Sequence, residues 1–491
     1  MLAVSLGARL WLAASLGLQK DEAFYAVWAR APDAGFAWIP LAAIRASVSV
    51  LGESALAVRL PFVLAMTAAG AAAFLLARSL TGSAAAGAWT VALVLGNAWA
   101  HLAGSQAHPD AFLACFWIGA LAALAPRDRS RAALYFGAAL AAGAALSKYS
   151  GFLLWPAWLA VERSRGRRPE DRPRDLPLAT LVWLALVAPA VAAIAGEHAH
   201  WLRVALHLSD WSDRAPAAAR LVLLALFPLL HLVSTGAVVF AIAPWRAWRS
   251  GQEGRAMVWI AAVVLLLFTT VAMRGSLKGN WMLPAFWGVL PFGVAWFLAG
   301  PRRTRWLAGL AAGGVAVTAL VHAMALDPSR FDRAAQQIDV LGSLDRTYPL
   351  AISAEERRHA TSRRWLDRAF EWRVAAPLAD SLARRAAAGG VDVPVVSDLY
   401  EVVYAVQFHG TRRTARMLRD ERFRLRPEFA RGPGSLPNSI LYVTAPDVEL
   451  PEAFFLWYRF LEREPALGIP VGGHARRSYD VWRCGRNHGD W

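Results

Sequence analysis

VRLPFVLAMTAAGAAAFLLA, Val58 to Ala77, decides the fold class. The stretch carries a single charge, Arg59, and it has the length of helix, roughly 17–25 apolar residues, that a bilayer core requires. Similar runs recur on both sides of it. Residues 2–18 read as a somewhat short first spanning helix. Residues 84–103, 111–125, 132–147, 150–161, 176–195, 219–243, 257–273, 282–299 and 306–325 read as the later ones. The total is about 11 transmembrane helices. The 491 residues are 57% hydrophobic, and mean hydropathy is positive. The expected class is a polytopic α-helical membrane protein.

The formal net charge is +16. The excess Lys and Arg gather in PRDRSR (126–131), ERSRGRRPEDRPRD (162–175), PWRAWRSGQEGR (244–255) and PRRTR (301–305). With eleven helices all four loops fall on one side, which the positive-inside rule makes the cytoplasm. The charge therefore points to membrane lipids and not to nucleic acid. The opposite face receives QKDEAFYAVWAR (19–30), GSQAHPD (104–110), SKYS (147–150), RGSLKGNW (274–281) and the C-terminus. The opening residues lack a basic n-region and a small-residue cleavage site, so they read as a spanning helix and not as a cleavable signal peptide. Cys115 and Cys484 lie far apart, and neither a disulfide nor redox chemistry is expected.

Residues 19–55 read as a polar, Trp-containing loop. Within it IPLAAIRASVSVLG (39–52) looks like an interfacial amphipathic helix, with Ile39, Ala43, Ala46 and Val50 on one side. After residue 325 the spanning runs stop. VDVPVVSD (391–398) and SILYVTAPD (439–447) are strand-like, and PLADSLARRAAA (377–388) is an amphipathic helix. The expected division is a membrane domain over 1–325 and an extracytoplasmic α/β domain with a partly parallel sheet over 326–491. Arg-rich RRHATSRRW and TRRTARMLRDERFRLR suit solvated faces, or contact with an anionic membrane surface or an acidic acceptor.

Several side chains on the extracytoplasmic face suit chemistry. Asp21 and Glu22 stand together where the first apolar run ends. Two adjacent acids are costly in hydrocarbon and belong at a surface, where the bland alternative is a helix cap. Asp110 opens the fourth helix and suits an N-cap there. Lys148 and Tyr149 sit at the corner between the fifth and sixth helices, where a lysine can also simply snorkel. Arg274, Lys278 and Trp281 flank the tenth helix. They suit an interfacial anchor or a cationic site for a lipid phosphate. His198, His200 and His207 match no fixed zinc spacing, and no metal is expected. No Gly-rich phosphate loop follows a strand, so neither a nucleotide pocket nor another cofactor is implied.

DEAFYAVWAR, IPLAAIRASVSVLGESALAVRLP, HPDAFLACFW, SKYSGFLLWP and LKGNWMLPAF, in this order, resemble the bacterial family 39 glycosyltransferases. These are related to protein O-mannosyltransferases and to the aminoarabinose transferases of lipid A. The resemblance covers roughly residues 15–300 and implies the GT-C fold with an extracytoplasmic active site. It implies Asp21 as the catalytic acid with Glu22 beside it, Asp110 as a second acid, and Lys148 and Lys278 as basic site positions. Many relatives carry His-Pro-Pro in the first loop; here FAWIPLAA keeps only Pro40.

The implied reaction is inverting transfer of a sugar from a polyprenyl-phosphate donor to a protein, lipid A or another glycan, in the bacterial inner membrane. Asp21 would be the base, with Lys148, Lys278 and Arg274 facing the leaving phosphate. Asp110 would orient the acceptor or hold a cation. A transporter or lipid flippase is the rival. It predicts paired inverted halves with broken helices near mid-membrane, and no such halves are evident. A non-catalytic scaffold would leave Asp21 and Asp110 free to change.

Overall fold

The computed structural model describes residues 2–30, 37–126, 129–164, 175–195, 237–274, 283–326, 374–387, 393–397, 399–409, 415–417, 437–444, 450, 452–472 and 475–486. The chain forms two compact units. The first comprises residues 1–13, 32–322 and 348–353, and the second comprises residues 14–31, 323–347 and 354–491.

The first unit is helical. Its described elements are α1 (Leu2–Ser15), whose last two residues belong to the second unit, α3 (Trp38–Leu51), α4 (Ala55–Thr81), α5 (Ala84–Gly96), α6 (Ala98–Ser105), α7 (Asp110–Leu124), α8 (Arg131–Ser147), α9 (Leu154–Ser164), α10 (Leu176–Ala195), α11 (Ala237–Arg249), α12 (Gln252–Arg274), α13 (Leu283–Trp287), α14 (Leu290–Leu298) and α15 (Pro301–Leu326), whose residues 323–326 belong to the second unit. Helix α2 (Lys20–Trp28) belongs to the second unit.

Helix α7 is the centre of the first unit, packed on α4 and α8. It is apolar on nearly every side, as a helix enclosed by others must be, and Trp117, Ile118, Leu121 and Leu124 are all buried. Close approach to α8 depends on a small residue. A Cβ added to Gly143 would lie 2.7 Å from the Phe116 ring. In hydrocarbon, where apolar burial between helices gains little, such packing is the main attraction. The outer face is apolar too: Leu178, Leu181, Leu184, Leu186 and Val191 of α10 are exposed. Among the described residues two helices are long and apolar enough to cross a membrane, Ala55–Thr81 and Gln252–Thr270, and several apolar helices are shorter.

The structure departs from the sequence expectations in five places. Residues 20–28 are helical where a loop was expected. The expected third span, 84–103, is two helices broken at Asn97, whose backbone is extended and whose Oδ1 accepts from Ala100 N at 3.2 Å. An Asn side chain that caps a new helix competes with continuing the old one. Thr318 of α15 then donates to the Gly96 carbonyl at 3.0 Å. The expected tenth span is likewise divided, into α13 and α14. The amphipathic helix α3 buries Pro40, Leu41 and Ile44, whereas Ala46 and Val50 of the expected stripe are exposed. Its packing on α4, and not its own periodicity, selects the inner face. Asp110 is the first helical residue of α7 and not its cap, which is Pro109. Most of the expected eighth span, 219–243, lies outside the described residues.

The second unit is an α/β assembly. Beside α2 it contains α16 (Ala375–Ala387), β1 (Val395–Ser397), α17 (Tyr400–His409), β2 (Arg416–Met417), β3 (Ser439–Thr444), α18 (Glu452–Trp457), β4 (Phe460–Arg463), β5 (Leu467–Gly472) and β6 (Ala475–Gly485). The sheet order is β2-β1-β3-β6-β4, with β5 pairing β6. Strand β1 is parallel to β2 and β3, and β6 is antiparallel to β3, β4 and β5. Strand alternation sends Val395, Leu441 and Val443 into one core with α16 and α17. It sends Val396, Ile440 and Tyr442 into a second core with Phe454 of α18. Both cysteines are free, and burial pushes the Cys484 thiol well above its usual range, so it is poorly suited to thiolate chemistry.

Candidate functional site

Two acid-bearing helix starts, one in each unit, carry the candidate chemistry. In the second unit Gln19 caps α2 and Asp21 and Glu22 fill its first turn. There the helix dipole favours negative charge. Glu22 is buried, and its Oε2 accepts from the Gln19 backbone N–H at 2.9 Å. That is the third-residue half of a capping box. Asp21, one residue earlier, is exposed. The neighbouring acids therefore do different work: Glu22 fixes the helix start, and Asp21 is presented at the surface of the unit.

Helix α2 is held by α17. The Phe24 ring meets Tyr404 edge-on at 5.0 Å and packs against Trp28 at 4.9 Å. Arg30 donates to the Gln407 carbonyl at 3.3 Å and lies 5.7 Å from the centre of the Phe408 ring. Leu16 packs against the sheet's larger core.

In the first unit Asp110 starts α7 and is buried, its side chain 5% exposed. Lys148 Nζ lies 2.5 Å from Oδ1, and His108 Nδ1 lies 3.1 Å from Oδ2. Both carboxylate oxygens thus face a nitrogen, as a buried charge requires. Lys148 reaches Asp110 because α8 ends at Ser147 and the backbone of Lys148 turns extended. The corner is tight: a Cβ on Gly151 would lie 2.1 Å from the Ala144 carbonyl. Tyr149 follows in a short 3-10 turn, Tyr149–Leu153, with its hydroxyl buried. A small cleft opens beside Asp110, lined by Met66, Leu93, Asn97, Trp287 and Leu290.

The structure thus joins Asp110 to Lys148, two of the expected residues, and adds His108, which sequence reasoning passed over. Its position two residues before an acid in HPD was the available signal. The side chain of Arg274, with Lys278 and Trp281, lies outside the described residues, as do His198, His200 and His207 and nearly all of the Arg-rich C-terminal runs. Among the described residues no group of three or more His, Cys, Asp or Glu could hold a metal.

The family model described as dolichyl-phosphate-mannose-protein mannosyltransferase matches residues 36–193. No curated protein matches the sequence. The fold is similar to that of ArnT from Cupriavidus metallidurans in the apo state, with a TM-score of 0.62 and 15% identity over 98% of this chain and 96% of that one. The same protein bound to undecaprenyl phosphate gives a TM-score of 0.62 at 16% identity, over 98% and 96% of the two chains. The resemblance to the family 39 and GT-C transferases, first carried by sequence motifs, therefore extends to a family model over part of the chain and to a fold over nearly all of it.

Proposed function

We propose that this chain is an inverting glycosyltransferase that moves a sugar from a polyprenyl-phosphate donor to a protein, lipid A or another glycan. The observation that carries the proposal is the division of labour in the first turn of α2, where Glu22 is spent on the cap and Asp21 is exposed. The matched family's description and the lipid phosphate bound to ArnT support the donor class.

In the proposed reaction the acceptor hydroxyl oxygen attacks the anomeric carbon. The new C–O bond forms as the bond from that carbon to the phosphate oxygen breaks. Asp21 takes the hydroxyl proton, a role typically worth about 10²–10⁴-fold. The electron pair leaves with the polyprenyl phosphate, whose leaving-group quality makes a general acid unnecessary. Cations facing that phosphate stabilise its growing charge. Lys148, Arg274 and Lys278 are the candidates, with Tyr149 and Trp281 beside them. Asp110 holds the lysine side chain, and His108 faces the other carboxylate oxygen of Asp110.

The proposed setting is the bacterial inner membrane, with about eleven spans and with the active site and the 326–491 α/β domain on the extracytoplasmic side. The distribution of Lys and Arg among the loops supports that orientation.

The test is sugar transfer by purified protein in nanodiscs, using a panel of polyprenyl-phosphate sugars. Wild type and Asp21→Asn are compared side by side. Turnover or donor hydrolysis by wild type alone supports both the class and the base. Equal turnover by both removes Asp21 from the mechanism.

A further inference from the structure

Arg9 is a cation that the proposed chemistry does not use. It sits midway along α1, completely buried. Its Nε and both terminal nitrogens lack a hydrogen-bond partner. His101 of α6 is also buried, with Nδ1 unpartnered, and His322 of α15 has Nε2 unpartnered. The two imidazoles meet edge to face at 4.4 Å, and the charge of Arg9 acts on both. Three side chains from three helices therefore bring five unpartnered nitrogens to one place.

The surrounding structure holds these groups in position. The Asn97 break starts α6 afresh, and His101 N donates to Asn97 O at 2.9 Å in its first turn. Thr318, one turn before His322 on α15, binds the Gly96 carbonyl on the other side of the same break. Gly104 lets α6 come against the guanidinium; a Cβ there would lie 3.0 Å from Nε and 2.7 Å from Met66.

We propose that Arg9, His101 and His322 form a buried binding site for a phosphate-class oxyanion, separate from the Asp110–Lys148 pair. Arginine stays protonated, so burial does not remove its charge. A desolvated charge calls for a counter-charge, and no acid pairs with Arg9 among the described residues. A water molecule would satisfy hydrogen bonds but not the charge. A metal ion would be repelled by the same guanidinium. The planar fork of N–H donors matches the oxygens of a phosphate, and each neutral imidazole adds one N–H.

Met66 offers the approach. It flanks Gly104 on one side and lines the apolar cleft with Leu93 and Trp287 on the other. Its unbranched, adaptable side chain can give way. A phospholipid headgroup and free phosphate share the chemistry.

The test is thermal unfolding of the full-length protein, titrated with inorganic phosphate at constant ionic strength against chloride. A parallel arm uses nanodiscs of phosphatidylcholine with and without phosphatidic acid. Wild type is expected to be stabilised by phosphate, by phosphatidic acid or by both, and the arm that responds names the source. In Arg9→Gln the apparent Kd for that ligand should rise about 10-fold or more. His101→Gln and His322→Gln, which leave Arg9 in place, should each weaken binding measurably. These two variants keep the test open if Arg9→Gln does not fold. Equal ligand-induced shifts in wild type and all folded variants, or no shift in wild type with either ligand, overturn the proposal.

Discussion

Asp21 and Asp110 occupy the first turns of two helices, yet their surroundings are opposite. Asp110 is buried, and both its oxygens face nitrogens from Lys148 and His108. Asp21 is exposed, and the capping duty that an acid at a helix start often carries falls to its neighbour Glu22. The comparison teaches that an acid at a helix start is not by itself a catalytic signal. An acid held in a buried ion pair has its charge committed to structure. An acid at the surface, on a helix fixed by other residues, stays in contact with solvent.

Four tests break or sharpen this contrast. The largest effect is expected at Asp21. Asp21→Asn should lower transfer by about 10²–10⁴-fold with an unchanged melting temperature, because the side chain is exposed and isosteric. A lowered melting temperature for Asp21→Asn would mean that Asp21 also holds the start of its helix.

Next comes the ion pair. Lys148→Ala leaves the Asp110 carboxylate buried without its ammonium, which should cost about 3–5 kcal/mol. Adding Asp110→Asn should recover part of that loss, because the stranded charge is gone. Chemical denaturation of the single and double variants measures the coupling; strict additivity would contradict a direct pair.

Tyr404 tests whether Asp21 depends on the α/β unit. Tyr404→Ala removes the edge-on contact with Phe24, worth about 0.5–1.5 kcal/mol beyond area burial. If α17 positions the base, kcat should fall several-fold with KM nearly unchanged, and Tyr404→Phe should restore it. An effect on melting temperature alone would mean that the contact only holds the fold.

The smallest effect is expected at Glu22. Glu22→Ala should destabilise by about 1 kcal/mol through loss of the cap. Glu22→Gln should be nearly silent, since glutamine serves the same box. Strongly reduced transfer by Glu22→Gln at normal stability would move the catalytic role one residue along.

Much of this was legible because its signals are local. Val58–Ala77 lies within the longest described apolar helix, Ala55–Thr81, and the SKYS corner separates α8 from α9. Asp110 is at a helix start, as its place before AFLACFW suggests. Other features escaped. The apolar character of 84–103 hid the break at Asn97, because hydropathy does not register one capping side chain. The helicity of 20–28 was hidden by its polarity, although Gln19 and Glu22 stand at capping-box spacing. The inner face of α3 depended on α4.

The amino-acid sequence alone determined that apolar helices alternate with basic loops, that strands follow near the C-terminus, and which polar side chains stand at helix ends. These follow from the hydrophobicity, periodicity and capping chemistry of neighbouring residues. Only the tertiary structure decided that Lys148 meets Asp110, that α2 rests on α17, and that Arg9, His101 and His322 converge. Those groups are far apart in the chain, and what brings them together is close packing between helices, to which no single stretch of sequence is sensitive.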